Sequence, residues 1–135
     1  MSLGYGGFCR KFVEDDSFVI YEYFSYNFNE ERFYNDEKIF DGFITIRKSS
    51  LIEPILHEKI KKLPNGRRKK FTKKILVDFS VDELLNAGNI EIKNCSHTWK
   101  TLPNGLDFIS YKLCRKIFLY YQNNGKLPEK LGWDV

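Results

Sequence analysis

The chain has 135 residues, the size of one domain, and a chain of that length buries roughly two-thirds of its unfolded surface. Hydrophobic residues make up 42% and charged residues 30%, which excludes disorder, and no apolar run has the length of a membrane span or the order of a signal peptide. Formal net charge is +4, yet residues 59–74, KIKKLPNGRRKKFTKK, hold nine of the 22 Lys and Arg and no acid, so the rest of the chain is net negative.

The palette is lopsided, with twelve Phe and eight Tyr against one Ala, and sixteen Lys against six Arg. AT-rich coding DNA produces such a bias without selection for function, so the lysine count alone does not argue for a polyanion partner. Cys9, Cys95 and Cys114 form no CxxC pair and leave one thiol unmatched. That pattern suits a reducing cytoplasm better than a disulfide framework. The opening MSL carries no functional weight.

The N-terminal third reads as antiparallel sheet. In residues 5–13, Phe8, Arg10 and Phe12 alternate with Tyr5, Cys9 and Val13, and the acidic turn EDDS follows. Residues 17–28 place Phe18, Ile20, Phe24, Tyr26 and Phe28 on one face and Val19, Tyr21 and Tyr23 on the other. Residues 38–48 repeat the alternation, with Phe40, Ile44 and Ile46 against Ile39 and Phe43, so the three segments predict a meander.

Ser50 and Glu53 have capping-box spacing, and Leu51, Ile52, Ile55, Leu56, Ile60 and Leu63 fall on one stripe, which predicts a helix ending at Pro64-Asn65-Gly66. Residues 71–78 read as a strand with Phe71, Ile75 and Val77 inward. A short helix capped by Ser80 stops at Gly88, and residues 89–94 alternate as a further strand. The last helix runs from about Leu106 to Asn123, with an apolar arc that includes Ile109, Leu113, Cys114, Ile117 and Phe118, and Gly125 stops it. The tail folds Leu131 and Trp133 back onto the body. LPNG occurs at 63–66 and 102–105 with unrelated flanks, as a shared turn rather than a repeat. The predicted architecture is a single α+β domain over residues 1–135: an antiparallel sheet of about five strands packed against two main helices, the C-terminal one long and buried.

Among candidate sites, the basic run weighs most. If residues 67–74 are extended, Arg67, Lys69 and Lys73 point one way and Arg68, Lys70 and Lys74 the other, which leaves the first half without a burial face. Such a segment projects as an arm or lies in an exposed loop, where clustered cations can neutralise phosphates. Against this, Lys59, Lys61 and Lys62 in a last helical turn offset the helix dipole, and edge lysines prevent unwanted strand pairing. The solvated edge is favoured, with Arg67 to Lys70 the four residues it does not explain. The acidic clusters Glu14-Asp15-Asp16, Glu30-Glu31 and Asp36-Glu37 are candidates to neutralise the run.

Cys95 and His97 fall on one side of an extended segment, but a thiol and an imidazole without a third orienting group are not a catalytic site. Glu53 and His57, four apart on the predicted helix, supply two metal ligands where a site needs more. GYGG at 4–7 precedes a strand rather than opening a helix, so it is no phosphate loop. The function favoured is therefore a non-enzymatic binding protein, such as a small bacterial accessory or inhibitor-type protein that recognises another macromolecule, without cofactor, metal or membrane. The runner-up is a nucleic-acid or polyanion binder using Arg67, Arg68, Lys69, Lys70, Lys73 and Lys74, and a Cys-His enzyme stands third. The Tyr-rich stretch 21–26 is a candidate protein interface, with core packing as its plainer explanation.

Overall fold

The structure, a computed structural model, describes residues 3–134; Met1 and Ser2 of the opening MSL and the terminal Val135 lie outside the described residues. The chain begins with the antiparallel meander expected from its alternation: β1 (Tyr5–Glu14), β2 (Phe18–Asn27) and β3 (Gly42–Arg47). An exposed hairpin follows, β4 (Ile55–Lys62) and β5 (Arg68–Ile75), then α1 (Val81–Asn86), β6 (Ile90–Lys93), α2 (Phe108–Asn124) and β7 (Lys130–Asp134). The main sheet has the order β6-β3-β2-β1-β7, and β4 and β5 form a separate two-stranded sheet. The class is α+β, with the five-stranded antiparallel sheet predicted. Its membership differs in one respect: the tail supplies β7, while residues 71–78 contribute only to the separate hairpin.

Period-two patterning divides the meander into two faces, both bearing apolar side chains, and the position of α2 decides which is fully buried. Cys9, Val19, Tyr21 and Tyr23 point to α2 and are fully buried, as are their neighbours Ile44 and Ile46 on β3. The α2 side chains Ile109, Leu113, Cys114, Ile117 and Phe118 close this core from the other side, and within α2 only Arg115, Lys116, Asn123 and Asn124 are exposed. Gly7 permits the close approach of the helix, since a Cβ there would lie 2.4 Å from Ile109 Cγ2 and 2.7 Å from the Phe24 carbonyl oxygen.

Two buried tyrosines on β2 tie down both ends of α2. The Tyr23 hydroxyl donates to Asp107 Oδ2 at 2.9 Å before the helix, and the Tyr21 hydroxyl donates to the Pro128 carbonyl at 2.6 Å after it. Asp107 also caps the helix, its Oδ1 accepting from the Ile109 N–H at 2.9 Å, and Gly125 ends it in the left-handed conformation at φ 71°. Ser80 caps α1 by accepting from the Glu83 N–H, as its spacing predicted.

Three local expectations are corrected. A bulge between Lys11 and Val13 moves Val13 opposite Ile20, onto the face of Phe8 rather than that of Cys9. Phe40 precedes β3 and packs edge-on against Phe24 at 4.8 Å, on the sheet face away from Ile44 and Ile46.

The third concerns residues 51–63, which form no helix; Ile55 to Lys62 are a strand. The Ser50 hydroxyl turns back to the Arg47 carbonyl at 2.6 Å instead of capping forward, and Glu53 accepts from the Tyr121 hydroxyl at 2.5 Å. Pro54 disfavours a helical conformation at Glu53, and Leu51 is already extended at ψ 135°. The apolar stripe therefore divides. Leu51 and Ile52 pack on the core, while Ile55, Leu56 and Ile60 remain exposed. No helix among the described residues is long and apolar enough to cross a membrane.

Candidate functional site

The β4–β5 hairpin brings the whole basic run into one object. Both LPNG segments make the same turn: Gly66 N–H donates to the Leu63 carbonyl and Gly105 N–H to the Leu102 carbonyl, with Gly66 at φ 83° and Gly105 at φ 84°. In the first, the Asn65 side chain accepts from the Arg67 N–H at 3.0 Å and Leu63 N–H bonds the Arg67 carbonyl, which closes the hairpin. The register then sets Lys62 opposite Arg68, Lys61 opposite Lys69, Ile60 opposite Lys70 and Lys59 opposite Phe71.

Every residue of both strands is exposed. Neither face of the ribbon packs on the body, so it projects for a length of about 25 Å at the rise of a β-strand. Phe71 and Ile75, expected to face inward, are exposed here because the strand joins only β4. The expected alternation of charge does hold: Lys59, Lys61, Lys69 and Lys73 share one face, and Lys62, Arg68, Lys70 and Lys74 the other, with Arg67 at the turn. Lys59, Lys61 and Lys62 belong to a strand, so no helix dipole is there for their charge to offset.

The base of the ribbon is held by the last turn of α2. Gln122, buried to 1% exposure, accepts from the Val77 N–H at 2.7 Å and donates to the Val77 carbonyl at 2.8 Å. Lys74 donates to the Asn123 carbonyl at 2.8 Å, so this one lysine does offset a helix C-terminus, that of α2.

Beyond the base, the charges are poorly compensated. Lys70 pairs with Glu58 at 3.0 Å, the one ion pair on the ribbon among the described residues, and Lys69 lies 5.4 Å from the Phe71 ring centre. Glu14 is engaged instead by Lys11 at 2.8 Å and Lys48 at 2.5 Å, which hold its carboxyl below the usual glutamate range. Glu30 faces Arg32. Among the described residues, no member of the three acidic clusters forms an ion pair with the ribbon.

The other candidates are dispersed by the fold. Cys95 is buried, and its Sγ lies 3.2 Å from Ser25 Oγ, 3.5 Å from Thr98 Oγ1 and 3.6 Å from Asp107 Oδ2. Burial raises its thiol pKa, which disfavours the nucleophilic thiolate. His97 Nδ1 contacts Ser96 Oγ at 3.1 Å, and no hydrogen bond joins it to Cys95 among the described residues. Glu53 is bonded to Tyr121, while His57 stands on β4 opposite Lys73. Among the described residues no group of three or more His, Cys, Asp and Glu has metal-holding geometry. Tyr21 and Tyr23 are core residues with bonded hydroxyls, in line with the plainer reading of the Tyr-rich strand.

Two features escape sequence reasoning. One is the buried polar knot of Tyr23, Ser25, Cys95, Thr98 and Asp107, whose only signal was an Asp directly before an apolar helical run. Burial raises the Asp107 carboxyl above its ordinary value despite the donors around it. The other is a groove of about 640 Å³ on the sheet face away from α2, lined chiefly by Phe8, Phe24, Tyr26, Phe28, Tyr34 and Phe40. Arg10 stacks 3.8 Å above Phe40 in this groove and is ion-paired to Glu22. No family model matches the chain, and no curated protein or solved structure is similar enough to match it.

Proposed function

We propose that this chain is a non-enzymatic macromolecular binding protein that uses the β4–β5 ribbon to hold a nucleic acid, with Arg67, Arg68, Lys69, Lys70 and Lys73 among the contacting residues. What supports this reading above all is the uncompensated charge of the ribbon: nine Lys and Arg against one Glu over residues 55–75, with all strand residues exposed. A solvated edge protecting a sheet would flank a packed strand, whereas this ribbon has no packed face to protect. Phosphate neutralisation is the interaction such a display favours, because each contact releases condensed counterions. Phe71 is the one aromatic on the ribbon, which argues for phosphate contact over base stacking. The cytoplasm is the compartment we propose, since all three cysteines are unpaired, buried thiols and a reducing environment keeps them so. A bacterial accessory protein fits this scheme.

Fluorescence anisotropy with labelled oligonucleotides tests the function. Affinity should fall with salt along a log–log slope of about −0.9 per phosphate neutralised on duplex, and replacing Arg67, Arg68, Lys69 and Lys70 by Ser should abolish most of it. No binding of DNA or RNA at low salt, or binding unaffected by the four substitutions, would overturn the proposal.

A further inference from the structure

The distribution of charge on the ribbon restricts the shape of the partner. Lys62 and Arg68 are directly opposite each other on one face, and Lys61 and Lys69 directly opposite on the other. Like charges at such positions repel and destabilise the pairing. Two successive repulsive pairs, on alternate faces, stand next to the turn that carries Arg67. The carboxylate nearest in register, Glu58, lies toward the base and is occupied by Lys70.

A flat anionic surface, such as a lipid headgroup layer or an acidic patch on a protein, relieves this repulsion on one face and leaves the other as it was. Two anionic walls, one on each side of the ribbon, relieve both. The major groove of B-form DNA has that form: it is about 12 Å wide and about 8.5 Å deep, bordered by the two phosphate backbones, and it admits a two-stranded β-ribbon. The corresponding groove of A-form RNA is deep and too narrow for side chains to read.

We propose that the outer half of the β4–β5 ribbon inserts into the major groove of duplex DNA, with Lys61 and Lys69 directed to one phosphate strand and Lys62 and Arg68 to the other. This rests on the nucleic-acid function proposed above and adds the duplex, the groove and the two-sided contact. Ile60, 71% exposed, stands on the same face as Lys62 and Arg68, one step nearer the base of the ribbon, and adds an apolar side chain beside those cations. The base of the ribbon stays clear of the DNA, since Lys74 is held by α2.

The test uses the full-length protein and a duplex of about 20 base pairs, long enough to present two turns of major groove, read by anisotropy over a salt series. Two double variants separate the faces: Lys61→Ser with Lys69→Ser, and Lys62→Ser with Arg68→Ser. Each pair should lower the magnitude of the salt slope by about 1.8, as expected when two phosphates are no longer neutralised. A duplex with bulky cytosine 5-substituents filling the major groove, and an RNA duplex of the same sequence, should each bind at least about tenfold more weakly than the unmodified DNA. Urea midpoints no lower than that of the parent confirm that both variants are folded.

If one face carries the whole effect, or if the blocked duplex, RNA duplex or anionic vesicles bind as well as open DNA, groove insertion is overturned while anion binding stands. If no nucleic acid binds at all, both proposals fall together.

Discussion

The chain contains two antiparallel ribbons of similar length with opposite fates. In β1–β2, alternate positions carry Cys9, Val19, Tyr21 and Tyr23, and one face disappears under α2. In β4–β5, alternate positions carry lysine on both faces and every strand residue stays in solvent. Both ribbons pair the backbone groups that face each other, although β1 and β2 have further strands on their outer edges and β4 and β5 have none there among the described residues. Strand pairing alone therefore does not make a core; a strand joins one only when every second side chain gains by leaving water.

The largest test of this contrast is truncation inside the buried ribbon. Tyr21→Ala removes a fully buried ring and its bond to the Pro128 carbonyl, and should destabilise the protein by about 3–5 kcal/mol, seen as a lower urea midpoint at unchanged m-value. A loss below about 1 kcal/mol would mean that β2 is not the centre of the core.

An intermediate effect comes from the polar knot that joins the same ribbon to α2. Tyr23→Phe leaves the Cys95 N–H and Asp107 Oδ2 each without one partner and should cost about 1–3 kcal/mol. The knot also gives a pH signature. Burial raises the Asp107 pKa above its ordinary value of 3.8, so in that range the folded state binds more protons than the unfolded chain. The associated stability is fully present below 3.8 and is lost as pH rises through the folded value. Urea titrations at several pH values should show a decline with rising pH that is absent in Asp107→Asn; parallel profiles would place the folded pKa at or below the ordinary one.

The smallest effect belongs to the exposed ribbon. Ile60→Ser should change the stability by no more than about 0.5 kcal/mol, because the side chain already lies in water. A cost comparable with Tyr21→Ala would show that the ribbon is covered in solution, by a second copy of the chain or otherwise, and would erase the contrast.

Much of the fold was legible in the sequence where a periodic pattern coincided with a burial partner. The meander, α1, α2 and both LPNG turns were all signalled by residues close in sequence, since alternation, caps and turn chemistry act over a few positions. The failures have a common cause. Residues 51–63 carry a helical stripe and a capping-box spacing, but the local preference was overridden when Ser50 bonded backward, Glu53 found Tyr121 and the strand found β5. Of the candidate site, the six residues Arg67, Arg68, Lys69, Lys70, Lys73 and Lys74 were legible as a run of like charge. The four that face them across the hairpin or stand beside them, Lys59, Ile60, Lys61 and Lys62, were assigned to another element and so dropped out of the site.

Composition and period were enough to set the α+β class, the meander, the buried C-terminal helix, and the concentration of charge between residues 59 and 74. Each depends on interactions within about one turn or one strand width, which local patterning encodes. The complete fold decided that residues 55–62 take the strand rather than the helix and pair with 68–75, which sets like charges opposite each other. It also decided that neither face of this ribbon finds a packing partner, and that Glu14 and Glu30 pair elsewhere. Those outcomes depend on which distant groups are already engaged, Tyr121 with Glu53 and Lys11 and Lys48 with Glu14, and that is not a property of any short stretch of chain.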